Sequence, residues 1–145
     1  MLSVILAIGL LISVNDASLP DGNFAGRLSS PYLFVDCTFV PASGVSSVHM
    51  VVGCDEQKPA AVGRFEIKPV VSYPDQFIIT DFLDPGYSSM IDELRRICPQ
   101  RGFRRGDFIL FQRIKGRAAL SDVYRVYRGD RPVLLTRLTT TPDSV

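Results

Sequence analysis

The stretch SSMIDELRRIC, Ser88 to Cys98, is the one segment beyond the N-terminus that reads as a helix, and the remainder of the chain reads as strands. Met90, Ile91, Leu94, Ile97 and Cys98 recur at helical spacing on one face, with Asp92, Glu93, Arg95 and Arg96 on the other. Ser89 is placed to cap the helix, with Asp92 three residues on as a weak capping box. Arginines fill the last turn, where the helix dipole favours cations, and Pro99 stops the run. An apolar stripe of this kind needs a sheet to bury it. The segment sets a fold but names no reaction.

On the N-terminal side of the helix, five segments alternate or nearly so. They are Phe24–Leu28, Tyr32–Val40, Val45–Cys54, Val62–Val71 and Phe77–Leu83, separated by the turn signals Asp21-Gly22, Pro41-Ala42-Ser43-Gly44, Tyr73-Pro74-Asp75 and Asp84-Pro85-Gly86. Pro69 implies an edge or a bulge late in the fourth. After the helix come Asp107–Lys115, apolar on both faces at its start, then Val123–Arg128 and Val133–Thr139 as a hairpin turned at Gly129-Asp130. The connections are too short for parallel crossovers. The expected fold is β-rich α+β: a mostly antiparallel, strongly curled sheet, small barrel or sandwich of about eight strands, with helix 88–98 packed on it. Lipocalin-like barrels are comparable as architecture only, since this chain has no Trp and its helix comes earlier.

Leu2 to Val14, LSVILAIGLLISV, has the length of a signal-peptide core and is too short for a comfortable membrane span. The expected organisation is a signal peptide at 1–17, one globular domain at 18–139 and a polar tail at 140–145. The mature chain is expected to have no membrane span and to be secreted. With 145 residues, 46% of them hydrophobic, the chain can bury a core without staples.

Net charge is +1, unevenly spread. Residues 1–74 hold 4 basic and 6 acidic side chains, whereas residues 75–145 hold 12 and 9. The excess lies in the basic segment 95–117, where 8 basic residues face only Asp107. The whole chain is too near neutral for a dedicated nucleic-acid binder, so nucleic acid is not an expected partner.

Three cysteines leave one unpaired within a single chain. If Val40 pairs with Val45, Cys37 lies opposite Val48 and Cys54 is six residues further on. That is roughly 20 Å at ~3.3 Å per residue, against a disulfide limit of ~7 Å between Cα atoms. Cys98, on the apolar helix face, is the better partner. Cys54–Cys98 is the expected bridge, with Cys37 a buried thiol; three separate core thiols are the alternative.

Catalytic constellations are missing from the pattern. His49 is the one imidazole and lies mid-strand, and its parity opposes that of Cys54. Asp81, Asp84 and Asp92 each have a turn, strand-end or helix-end role to fill. No phosphate-loop, dinucleotide or nucleophile-elbow motif occurs. No enzyme activity, cofactor or metal is expected.

Two readings of function follow. In the first, a secreted binding protein holds an apolar small molecule inside the curled sheet, against Val35, Phe39, Met50, Phe65, Ile67, Phe108 and Leu110. The second is an adhesion or interaction protein that meets a cell-surface partner through the basic segment or its Arg-Gly-Asp tripeptides. These occur twice, at Arg105-Gly106-Asp107 and Arg128-Gly129-Asp130. Gly-Asp also suits a hairpin turn for backbone reasons alone.

Overall fold

The alternating segments build the wall of a closed barrel. A computed structural model describes residues 19–115 and 123–138. In chain order it places β1 (Gly22–Ser29), β2 (Tyr32–Ala42), β3 (Val45–Gly53), β4 (Ala61–Val70) and β5 (Tyr73–Ile79). Helix α1 (Pro85–Ile97), a 3-10 turn (Pro99–Arg101) and β6 (Arg105–Phe108) follow. The chain ends with β7 (Leu110–Ile114), β8 (Val123–Arg128) and β9 (Arg131–Arg137). Each barrel strand pairs antiparallel with the next, β5 pairs with β7, and β9 returns to β1 to close the ring. The segment 1–17, expected to be a signal peptide, Arg117 and the tail 140–145 lie outside the described residues.

Several boundaries differ from the sequence reading. The β2–β3 hairpin turns at Ser43-Gly44, both at positive φ, so Ala42 rather than Val40 pairs with Val45. Cys37 therefore faces Met50, not Val48. The fifth strand begins at Tyr73, because the chain turns at Val71-Ser72 and not at Tyr73-Pro74-Asp75. Pro69 does mark a bulge, where the β4–β5 register shifts between Pro69 and Val70.

The helix starts earlier than Ser88. Asp84 is its N-cap, accepting the Gly86 N–H at 2.7 Å, and Pro85 occupies the first turn. Pro at this position loses no hydrogen bond and brings the φ a helix needs. Ser89 lies inside the helix, so the Ser89–Asp92 cap is corrected to Asp84.

The predicted apolar face is correct and gains Tyr87: Tyr87, Met90, Ile91, Leu94 and Ile97 are all buried. The helix lies close on β4 because two glycines meet there. A Cβ on Gly86 would stand 1.8 Å from the Arg64 carbonyl oxygen, and one on Gly63 would stand 2.9 Å from that of Gly86.

Strand direction puts the 29–32 and 53–61 connections, α1, the 3-10 turn and the 128–131 turn at one barrel end. This helix-capped end is sealed by the apolar face of α1 together with Phe103 and Phe108. At the other end Pro20 is buried and its carbonyl accepts the Ser46 hydroxyl at 2.9 Å. Inside, Phe24, Phe39, Phe111 and Tyr124 touch edge-on or tilted, with ring centroids 4.8–5.8 Å apart. Each such pair adds about 0.5–1.5 kcal/mol beyond area burial.

Candidate functional site

Val35, Phe39, Met50, Phe65, Ile67 and Phe108 all reach the interior and are almost fully buried, in one cluster. Leu110 does not. Phe108 adopts φ 62 and the strand breaks at Ile109, which shifts the inward parity to Phe111. Leu110 is half-buried on the outer wall. The inward positions belong to one continuous buried cluster.

Cys54 and Cys98 are joined, with an S–S distance of 2.03 Å and Cα atoms 6.5 Å apart. Cys37 is a buried free thiol, and burial with Asp36 nearby raises its pKa well above the ordinary value. Around the bridge, Arg101 donates to the carbonyls of Tyr32 (2.7 Å) and Cys54 (2.9 Å), and Lys58 donates to that of Ile97 (2.9 Å). Burial and the neighbouring Arg128 and Arg131 lower the pKa of Arg101.

The two Arg-Gly-Asp tripeptides lie against each other. Asp107 is buried, and its carboxylate accepts the Gly129 N–H at 3.0 Å and the Arg104 N–H at 3.1 Å. Arg128, from the second tripeptide, lies 3.9 Å from the same carboxylate, donates to the Arg101 carbonyl and stacks over Phe103, 4.6 Å from the ring centroid. Tyr87 completes the joint. Its hydroxyl donates to the Asp107 carbonyl at 2.7 Å and accepts the Gly106 N–H at 2.9 Å. Asp107 and Arg128 are therefore committed internally, whereas Arg105, Gly106, Gly129 and Asp130 are exposed. Only the geometry across 20 residues of intervening chain reveals this pairing; neither tripeptide announces it alone.

Between the tripeptides an open cleft of about 380 Å³ is lined by Gly106, Ile109, Leu110, Gln112, Tyr127 and Gly129. Tyr127 donates to the Gln112 side chain at 2.8 Å, which fixes both on the cleft floor. Exposed Arg104 and Arg105 directly precede Gly106, and Arg105 has only a loose ion pair with Asp92 at 4.0 Å. Asp130 and Arg131 follow Gly129 and are also exposed.

Of the carboxylates Asp81, Asp84 and Asp92, the first two have structural roles and Asp92 is exposed within α1. Asp84 caps α1, and Asp81 accepts the Leu83 N–H at 2.9 Å. His49 lies half-buried on the outer wall between Thr38 and Arg64. Among the described residues no group of three or more His, Cys, Asp or Glu side chains is placed to hold a metal, and no helix is long and apolar enough to cross a membrane. No protein-family model, curated protein or solved structure matches this chain.

Proposed function

We propose that this chain is an exported, non-enzymatic binding protein, and that its ligand is an acidic, partly apolar segment of another protein held between Gly106 and Gly129. The cleft itself carries the reading. Ile109, Leu110 and Tyr127 supply an apolar floor, and three exposed arginines, Arg104, Arg105 and Arg131, flank it against two exposed acids, Asp130 and the Asp92 loosely paired with Arg105. Apolar contact anchors such a ligand and the cationic rim steers it. The disulfide is chemistry typical of oxidising compartments and supports export.

On this reading the barrel interior is the folding core. A small molecule at the expected interior site would have to displace ring contacts among Phe24, Phe39, Phe111 and Tyr124. Arg-Gly-Asp adhesion is disfavoured for a related reason: it needs a free guanidinium and carboxylate, and Arg128 and Asp107 are each engaged.

Selection from a displayed library of peptides combining Asp or Glu with Leu or Phe tests the cleft. Enriched peptides are expected to bind about tenfold more weakly to Leu110→Glu, where a charge enters the floor, and to an Arg104→Glu, Arg105→Glu pair. Peptides insensitive to both changes would sink the cleft reading. An apolar molecule co-purifying with the barrel, detected by native mass spectrometry, would restore the interior site.

A further inference from the structure

The barrel end opposite α1 has a hairpin tip that folding alone does not account for. A two-residue turn, Val71-Ser72, joins β4 to β5, with Val70 paired to Tyr73 and Ser72 at φ 74. Turns of this kind favour Gly, Asn and Asp. Here Val71 is 88% exposed and Tyr73 57% exposed.

The tip also protrudes. Ser46 pairs with Ile67, so the neighbouring β2–β3 turn, which closes at Val45, ends level with Lys68. The β4–β5 turn closes at Val70, two residues further along, roughly 7 Å at about 3.3 Å per residue.

Cations gather at the same place. The chain has three lysines, Lys58, Lys68 and Lys115. Lys68 is exposed on β4 below the tip. The β5–β7 register, with Gln76 opposite Gln112, brings Lys115 level with Tyr73, and its side chain is 71% exposed. Acids accompany them among the described residues: Asp75 lies 4.0 Å from Lys115 and 3.9 Å from Arg113, Glu66 is exposed two residues before Lys68 on the same face of β4, and Asp21 is exposed at this end. Leu138, 47% exposed, follows β9 at this end. The chain enters the barrel here too, at Leu19.

We propose that this end docks on a lipid bilayer bearing anionic headgroups. Val71 and Tyr73 enter the interfacial layer while Lys68 and Lys115 lie against the headgroups. Tyrosine favours that layer because its ring is apolar and its hydroxyl is wet. Lysine buries its stem and keeps its charge at the surface. Anionic headgroups attract such cations within a Debye length. The proposal is independent of the cleft, which it leaves facing away from the bilayer.

The chain has no Trp, so a single introduced indole reports its own position. Protein released from a secretory host, its N-terminus sequenced, is mixed with vesicles of phosphatidylcholine containing phosphatidylserine or with phosphatidylcholine alone. Val71→Trp emission is expected to shift to the blue on the anionic vesicles and to return when salt is raised, while Leu134→Trp on the outer wall stays unchanged. A Val71→Asp, Tyr73→Asp pair is expected to bind about tenfold more weakly, since it removes two apolar insertions. Its melting temperature should be near that of the parent chain, because both residues are exposed. An unmoved emission from the Val71→Trp variant, equal shifts at positions 71 and 134, or undiminished vesicle binding by the folded double variant would each overturn the proposal. The last of these would assign any binding to a retained apolar run.

Discussion

The Asp107 carboxylate accepts the backbone N–H of Gly129 at 3.0 Å, so one Arg-Gly-Asp tripeptide holds the turn of the other. The contact ties β6 to the β8–β9 hairpin across the helix-capped end. Asp107→Ala leaves the amides of Gly129 and Arg104 without their acceptor and the Arg128 guanidinium without its counter-charge. The expected cost is about 2–4 kcal/mol, reduced from a fully buried pair because Arg128 is partly solvated. Asp130→Ala, at the exposed tip, should change stability by less than about 0.5 kcal/mol. Urea unfolding of the two variants reads the difference, and equal effects would refute the joint.

Gly86 and Gly63 bring α1 onto β4. The Gly86→Ala methyl would meet the Arg64 carbonyl oxygen at 1.8 Å, and backbone cannot yield as a side chain can. Lifting the helix also opens the contacts of Met90 and Tyr87. A loss of about 3 kcal/mol is expected. Hydrogen exchange should localise it to residues 85–97, and unchanged protection there would contradict the close approach.

How far the fold was legible depended on whether local pattern or long-range geometry decides each element. The alternation in Tyr32–Val40 and Val62–Ile67 is simple, and both segments are strands with the expected faces buried. Helix phase pointed Cys98 at the sheet, which is why the Cys54–Cys98 bridge was readable even though the hairpin register used to argue it was two residues off. Asp84-Pro85 was present as a helix start, but a turn explains the same residues equally well. Leu110 failed for a different reason. Period-two alternation assumes an unbroken strand, and the positive φ of Phe108 breaks it, so Phe111 takes the inner place. The joint between the tripeptides was hidden because neither sequence carries any mark of the other.

The ionisation of Tyr87 and Cys37 sets an alkaline limit. Burial is the main cause that raises both pKa values above their ordinary 10.0 and 9.0. Each group holds its proton more tightly folded than unfolded. The stability so gained is intact below the unfolded values and is lost as pH rises through the folded ones. Unfolding free energy should therefore be level to about pH 9 and fall above it. Tyr87→Phe removes part of that slope, and it also lowers stability at neutral pH by about 1–3 kcal/mol, because the Gly106 N–H and Asp107 carbonyl lose their partner. A slope unaltered by Tyr87→Phe would place the alkaline limit elsewhere.

The Cys54–Cys98 bridge spans a sequence separation of 44 residues. Closing a loop of that length removes enough freedom from the unfolded chain to stabilise the fold by about 4 kcal/mol in the chain-entropy account. The native ends are held independently, by Arg101 on the carbonyls of Tyr32 and Cys54 and by Lys58 on that of Ile97. Reduction should therefore leave the folded structure in place and act on the unfolded state. A Cys54→Ala, Cys98→Ala variant is expected to keep its near-ultraviolet dichroism, lose about 3–4 kcal/mol in denaturant unfolding and show a larger m-value. Cys37, fully buried, should resist alkylation in that folded variant and react on unfolding. If the variant instead loses its aromatic dichroism, the bridge holds the helix-capped end together directly, and the Arg101 and Lys58 contacts do not suffice.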